Sequence, residues 1–271
     1  MRKYILTCTN TIGLILMHIG AVYTLITVEF SFELLFLFFV MYEVKIIGAT
    51  IGLHRYFSHK SFNTGIFLET ILALMATFAG QGPIKRWVYN HWTHHLHSDQ
   101  KKDPHSPVYH NFFYGHVGWL FNPDNYDDTK YRKYNLQLSS GANFIANNFT
   151  PIFFMQVPLL YLLGGINYVL VGFVLSSVVS LQVMFLTGSV CHFFGTQPYN
   201  TGDNSRNNLF VSLLTNGEGW HNNHHYSPAS AKHGHQSSEI DLSYTFIILL
   251  ERIGLVWNIK NPKKDKTELS T

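Results

Sequence analysis

The chain has 271 residues, of which 46% are hydrophobic, 15% aromatic and only 13% charged, against roughly 25% charged in an average soluble domain. A formal net charge of +3 is too small to argue for a nucleic-acid partner, and Cys8 and Cys191, both in apolar surroundings without CxxC spacing, support neither a disulfide framework nor a thiolate zinc site. The balance points instead to an integral membrane protein, one folded unit over residues 1–271.

From Tyr4 to Val44 there is no Lys or Arg, and the only acids are Glu29, Glu33 and Glu43. At about 20 residues per crossing, two spans fit, near 5–27 and 32–51, turning around 28–31. Arg2 and Lys3 ahead of an apolar run have the charge of a signal peptide, but the run is long, lacks a small-residue cleavage site and leads straight into a second one. A first membrane helix is the better reading. Residues 67–79, FLETILALMATFA, are too short to cross and carry Glu69, which predicts a partly buried or interfacial helix. Residues 85–133 are polar and read as water-exposed. The second apolar block, 135–205, again lacks Lys and Arg and carries a turn signal at Gly164-Gly165-Ile166-Asn167. Two further spans fit there, near 144–163 and 168–193, with Pro151 and Pro158 tolerated inside a membrane helix. A basic tail, 260–271, reads as a disordered end. The cations fall in the N-terminus, the central polar region and the C-terminal region, so the positive-inside rule puts both termini and the polar regions 54–135 and 194–260 on the cytoplasmic side.

Histidine is concentrated in those polar regions. His221, His224 and His225 stand at i, i+3 and i+4, and so do His91, His94 and His95; on a helix this spacing gathers three imidazoles on one face. His54 and His59 are a looser pair, diverging by roughly 140° on an ideal α-helix. Imidazole suits iron, zinc, copper or nickel, and eight such groups exceed the four ligands of a typical zinc site, which implies two metals. Only one ExxH occurs, Glu218 to His221, whereas carboxylate-bridged di-iron bundles use two. The remaining histidines carry weaker expectations: hydrogen bonding or exposure for His97, His105, His110 and His116, a neutral hydrogen-bonded role for His18 inside the first span, and loop positions for His233 and His235. Asp99, Asp103, Glu218 and Glu239 are candidates to orient ligating imidazoles, or equally helix caps and solvated charges. Trp119, Trp220 and Trp257 read as interface anchors.

The segments HRYFSH (54–59), HWTHH (91–95) and HNNHH (221–225), together with DPHSP (103–107), HVGW (116–119), EIDL (239–242) and GLVW (254–257), resemble the membrane fatty acid desaturases, particularly the delta-9 (stearoyl-CoA) acyl-CoA type, from about Tyr42 to Asn258. The resemblance implies an all-α integral membrane protein: four transmembrane helices under a cytoplasmic helical cap that carries a histidine-ligated di-iron site. It implies two iron ions held by His54, His59, His91, His94, His95, His192, His221, His224 and His225, dioxygen as co-substrate, a fatty acyl-CoA or other acyl-lipid substrate, and a separate electron donor of cytochrome b5, ferredoxin or rubredoxin type. His192 fits the family's Asn-x-x-x-His pattern, but the Asn position is Gly188, so the resemblance names no donor on that side of the site. Around the acyl tunnel, Gln81 and Trp87 match the family, whereas Met184 and Phe185 replace its Thr and second Trp, which implies a bend of different shape. Tyr42 matches a tyrosine near the closed end, and Ile46 replaces a small residue, which implies a shorter chain. Lys85 and Arg86 are placed to bind phosphate, but Tyr89 and Asn90 replace a charged pair, so acyl-lipid and acyl-carrier substrates stay open beside acyl-CoA. Two other readings are a hydroxylase on the same scaffold and a non-enzymatic metal binder or transporter, which would need ionisable ligands at membrane depth.

Overall fold

The computed structural model describes residues 2–131 and 136–263. Residues 132–135 of the polar segment and 264–271 of the basic tail lie outside the described residues. The first two apolar stretches form the helices Arg2–Thr27 and Phe32–Ile47. The second begins where Ser31 places its hydroxyl oxygen 3.2 Å from the Leu34 N–H that it accepts, with Glu33 in the first turn complementing the helix dipole. Ile5, Ile12, Leu16 and Ile26 are each more than half exposed, as a lipid-facing surface would be.

Three helical runs are long and apolar enough to cross a membrane: Lys3–Thr27, Phe32–Ser58 and Phe149–His192. The third is 44 residues long and is broken where the sequence put a turn. Gly164 leaves helical geometry, and Gly165 takes φ 70°, ψ −156°, a region that favours glycine. The boundaries differ from expectation in two places. The second span continues past 51 to Ser58, its last eleven residues, Gly48–Ser58, wound as a π-helix. The third apolar run starts at Phe149; Phe144 belongs to a separate helix, Ser140–Asn147, ended by non-helical Asn148 (φ −114°, ψ 37°). Pro151 has no N–H to offer the Asn147 carbonyl, so the helix restarts there.

The short apolar segment is the helix Ile66–Phe78. Leu72, Ala73 and Ala76 are buried while Ile66 and Phe67 are about two-thirds exposed, so its inner face packs and its outer face does not. The inner face lies on the π-helical segment so closely that a Cβ built on Gly48 would stand 2.1 Å from the Met75 carbonyl oxygen. Both partners there are backbone and cannot yield. Gly48→Ala is therefore expected to destabilise by at least the ~1–3 kcal/mol of ordinary overpacking and to loosen the segment that carries His54. Thermal melting of the detergent-solubilised chain checks this, and a melting point equal to that of wild type would contradict the close approach. The main core cluster, including Ile51, Phe57, Leu72, Val88 and Ile247, sits against the same segment. Among the described residues the named strands are Asn63–Thr64 and Val256–Trp257, paired antiparallel; the architecture is otherwise helical.

Candidate metal centre

The π-winding resolves the awkward spacing of the first histidine pair. In Gly48–Ser58 the hydrogen bonds run from i+5 back to i, and the register continues to His59, whose N–H donates to the His54 carbonyl at 3.1 Å. Residues five apart then sit one above the other rather than 140° apart, and the two rings lie 4.9 Å centroid to centroid. Such π-turns are rare and concentrate at functional sites. The second triplet lies on the α-helix Ile84–His97. The third lies on the short helix His221–Tyr226, whose orientation is fixed by the two asparagines between its histidines. Asn222 accepts from Tyr199 N–H at 2.8 Å and donates to the Tyr199 carbonyl at 3.0 Å, and Asn223 donates to the His233 carbonyl and to Glu239 Oε2, both at 2.8 Å.

The nine imidazoles divide into two groups, His54, His59, His91, His95 and His224 in one and His94, His192, His221 and His225 in the other, with the offered atoms of each group within 4.8 Å of one another. In the first group the Nε2 atoms form a chain of contacts: His59 to His91 2.7 Å, His91 to His95 3.0 Å, His95 to His224 2.9 Å, His224 to His54 3.0 Å. A ring nitrogen carries either one hydrogen or one lone pair, so five nitrogens in a row cannot satisfy four contacts by hydrogen bonding among themselves. One cation satisfies all five. Imidazole ligands stand about 2.0–2.1 Å from such an ion and hence about 3–3.4 Å from one another, close to the spacing found. The second group repeats it in pairs, His94 to His225 at 3.3 Å and His192 to His221 at 3.1 Å.

Four of these rings turn Nδ1 toward a carboxylate. His54 meets Glu218, His94 meets Asp103 at 2.9 Å, His192 meets Asp99 at 3.1 Å and His225 meets Asp203 at 2.6 Å. A carboxylate on Nδ1–H leaves Nε2 as the bare donor atom facing the group's centre and raises its basicity. Glu218, Asp99 and Asp103 take the orienting role anticipated for them. Asp203 was not anticipated, and Glu239 holds Asn223 instead of an imidazole. Burial alone would raise these carboxyls, but the facing imidazoles win: His54 and then Arg55 lower Glu218, His192 lowers Asp99, and His94 and His225 hold Asp103 and Asp203 well below the usual carboxylate range. On the imidazole side, burial and then neighbouring rings push His59, His91, His95, His221 and His224 well below 6.5, keeping them neutral, the state in which an imidazole can bind a metal. Burial also takes His225 down, to about 4, against the pull of Asp203. His94 goes the other way: burial lowers it, but Asp103, with Asp99 and Asp203 behind it, together outweigh that.

A model of the fatty acid desaturase family matches residues 31–236. The chain belongs to that family. An acyl-CoA C20 delta-5 desaturase of Anemone leveillei is 37% identical over 240 residues, covering 87% of this chain and 76% of the relative. An sn-1 stearoyl-lipid 9-desaturase of Anabaena variabilis is 36% identical over 254 residues, covering 93% of both chains. A hex-5-enoyl-[acyl-carrier protein] acetylenase of Moorena producens is 35% identical over 243 residues, covering 82% of this chain and 75% of the relative.

Both imidazole groups of this desaturase open on one cavity of about 120 Å³, which His54 and His91 line from the first group and His94 and His221 from the second. This is smaller than the ~300–1,000 Å³ that takes a whole small ligand, so it admits a segment of a chain. Of the substrate residues expected from sequence, Gln81, Arg86, Trp87, Met184 and Phe185 line it, beside Trp119, Gly188 and Tyr126. Trp87 Nε1 donates to Gln81 Oε1 at 2.8 Å, and the Arg86 guanidinium lies 4.7 Å over the Tyr126 ring. Tyr42, Ile46 and Lys85 are elsewhere: Tyr42 donates to the Leu214 carbonyl at 2.6 Å, Ile46 is fully buried, and Lys85 is tied to Asn143 at 3.2 Å. Trp119 walls the cavity where an interface anchor was expected. Trp220 is buried and donates to the Ile240 carbonyl at 2.7 Å. His116 is hydrogen-bonded, bridging Ser189 and Gln182.

Two further buried groups escaped the sequence reading. Arg55, fully buried beside His54, spans Glu218 at 3.1 Å and Asp241 at 2.9 Å. His233, placed in a loop by its neighbours in sequence, is fully buried with its ring 4.5 Å from that of His224. Neither has a local spacing that would reveal it.

Proposed function

We propose that this desaturase holds two iron ions, one in each imidazole group, and inserts a cis double bond at C9–C10 of a saturated acyl chain. The single observation that carries the metal assignment is the row of five Nε2 atoms whose contacts one cation would satisfy and hydrogen bonds would not. Bound iron would supply the reduction of dioxygen. In balance, the –CH2–CH2– unit, O2, two electrons and two protons give –CH=CH– and two waters; the electrons come from a separate carrier of cytochrome b5, ferredoxin or rubredoxin type. The protein's own part is placement. Trp87, Trp119, Met184 and Phe185 wall a space that admits a short stretch of chain, so one pair of methylenes faces both groups, an orientation effect. Gln81 and Trp87 fix each other's position at that wall. Arg86, Asn90, Asn125 and Tyr126 give the cavity a polar side suited to the linkage end of an acyl group. Stearoyl-lipid 9-desaturases among the relatives support the C9 position, and delta-5 desaturases of similar identity make C5 the alternative that the fatty acid profile separates.

The run Phe149–His192 is read as two crossings about Gly164–Gly165, since 44 residues at about 1.5 Å each would span twice the ~30 Å hydrocarbon core. Four crossings put every imidazole on the cytoplasmic side with the Lys and Arg clusters. The test is the fatty acid profile of cells lacking their own delta-9 desaturase and expressing this chain or His94→Ala, with double-bond adducts read by mass spectrometry. A cis-9 monoene from the wild type alone is expected. A monoene at C5, or hydroxy acids, would overturn the regiochemistry or the reaction respectively. Feeding labelled stearate as CoA, phospholipid or acyl-carrier thioester assigns the carrier.

A further inference from the structure

Away from the imidazoles, the cavity ends on a charge that the protein leaves unpaired. Arg86 lines it with its guanidinium 4.7 Å over the Tyr126 ring, and among the described residues it meets no hydrogen-bond acceptor and no carboxylate. Burial pulls its pKa down, and the groups that favour its charge are the phenols of Tyr126 and Tyr131. The backbone does not help. Arg86 stands in the first turn of the helix Ile84–His97, which has no acid there and no side-chain cap, at the end where the helix dipole disfavours a cation. Its neighbour Lys85, by contrast, is satisfied by Asn143 at 3.2 Å. A guanidinium carries several N–H donors and does not give up its charge. The ring beneath it engages its face and leaves its N–H edge to the cavity. A buried cation is costly unless something pairs with it.

Depth and reach narrow what that partner is. Tyr126 is hydrogen-bonded to Asn10, and Lys3 to Asp124 at 2.5 Å, so the segment under Arg86 is fastened to the outer turns of the first apolar run. Gly80, just ahead of the helix, lies against the Phe153 ring in the outer turns of the third run, a Cβ built there standing 2.9 Å from it. The guanidinium therefore sits at the level of the bilayer headgroups, where basic pockets between membrane helices bind anionic ones. It also points away from the imidazoles, since a Cβ on Gly82 would stand 2.0 Å from its Nη2. His91, His94 and His95 lie nine to thirteen residues beyond Gly82, on the order of 15 Å at about 1.5 Å per residue. That length takes the methylenes between an acyl linkage and the reacting pair together with a short glycerol bridge. It leaves no room for a pantetheine arm as well.

We propose that Arg86 receives the phosphodiester of a membrane phospholipid, so that the acyl chain this enzyme desaturates arrives on an anionic lipid. This rests on the reading that the methylenes react between the two imidazole groups. The planar fork of the guanidinium takes two phosphate oxygens at once, and the ligand supplies the counter-charge that the chain itself withholds.

The test uses the full-length, iron-loaded enzyme in uncharged detergent and measures equilibrium binding of three labelled stearoyl carriers: distearoyl phosphatidylglycerol, the uncharged monogalactosyl distearoylglycerol, and stearoyl-CoA. Wild type is expected to bind the phosphatidylglycerol tightest. Arg86→Gln should weaken that lipid about 10–100-fold, the scale of hydrogen bonds to a charged group, and leave the galactolipid affinity and the iron content as they were. Arg86→Lys keeps the charge but loses the fork, and should weaken the phospholipid less. Equal weakening of both lipids would make Arg86 a packing partner of Tyr126 and overturn the proposal, as would unchanged binding. Tightest binding of stearoyl-CoA, lost in Arg86→Gln, would place the phosphate on a soluble carrier and overturn it too. If Arg86→Gln does not accumulate, Arg86→Lys is scored on the same ratio of affinities, and a ratio equal to wild type overturns the assignment. A wild type that binds phosphatidylglycerol through Arg86 yet makes no alkene sinks the functional reading alone; alkene formed from lipids that Arg86→Gln binds as wild type does sinks this inference alone.

Discussion

Exchange of Arg55 for methionine is expected to destabilise the chain by about 3–5 kcal/mol, the penalty for breaking a buried ion pair from one side, and to lower its melting midpoint by on the order of 10 °C. The side chain is fully buried and donates to Glu218, Asp241 and the Ala231 carbonyl. Removing it strands two buried carboxylates that have no water to turn to. Glu218 is the more damaging of the two, because it also orients His54, and a carboxyl that takes up a proton after losing its cation orients that ring poorly. Arg55→Met should therefore lose iron as well as stability. Neutralising the carboxylates in the same chain, with Glu218→Gln and Asp241→Asn, should recover most of the melting temperature but not the iron. Equal melting of Arg55→Met and wild type in detergent would show the network to be dispensable.

His224→Ala and His221→Ala make a second, sharper pair. The two residues lie three apart on one short helix but belong to different groups, His224 to the five-membered one and His221 to the four-membered one. Each variant should hold about one iron per chain and yield no unsaturated product, since losing a ligand exceeds the ~10–100-fold that even an outer partner contributes. Chemical analysis of iron separates the outcomes. Two irons in either variant would mean that the residue is not a ligand, and none in both would mean that the ions bind only as a pair.

The sequence made the histidine triplets plain because helical periodicity puts i, i+3 and i+4 on one face whatever the tertiary context. It was silent on how His54 and His59 meet, since π-winding leaves no mark that an α-helical wheel can read. The Gly164–Gly165 break was legible from its two glycines. The break at Asn148 was not, because a single proline in an apolar run is as often tolerated as obeyed. Asp99 and Asp103 were open to guesswork because they follow closely on the second triplet. Asp203 lies 22 residues from its partner in a loop held by Thr201 and Ser205, and only the folded chain brings it to His225. His105 read as hydrogen-bonded or exposed and His233 as a loop residue because their neighbours in sequence are polar, and nothing local showed that their rings would lie against those of His94 and His224.

The interleaving of the two imidazole groups on shared helices has a mechanical meaning. His91 and His95 point to one group and His94, between them, to the other; His224 points to one and its neighbours His221 and His225 to the other. The spacing of the two groups is thus written into single helical turns, at two places at once, rather than into the docking of separate parts. Breathing of the surrounding bundle can carry the pair about as one body, but it has no hinge with which to spread them.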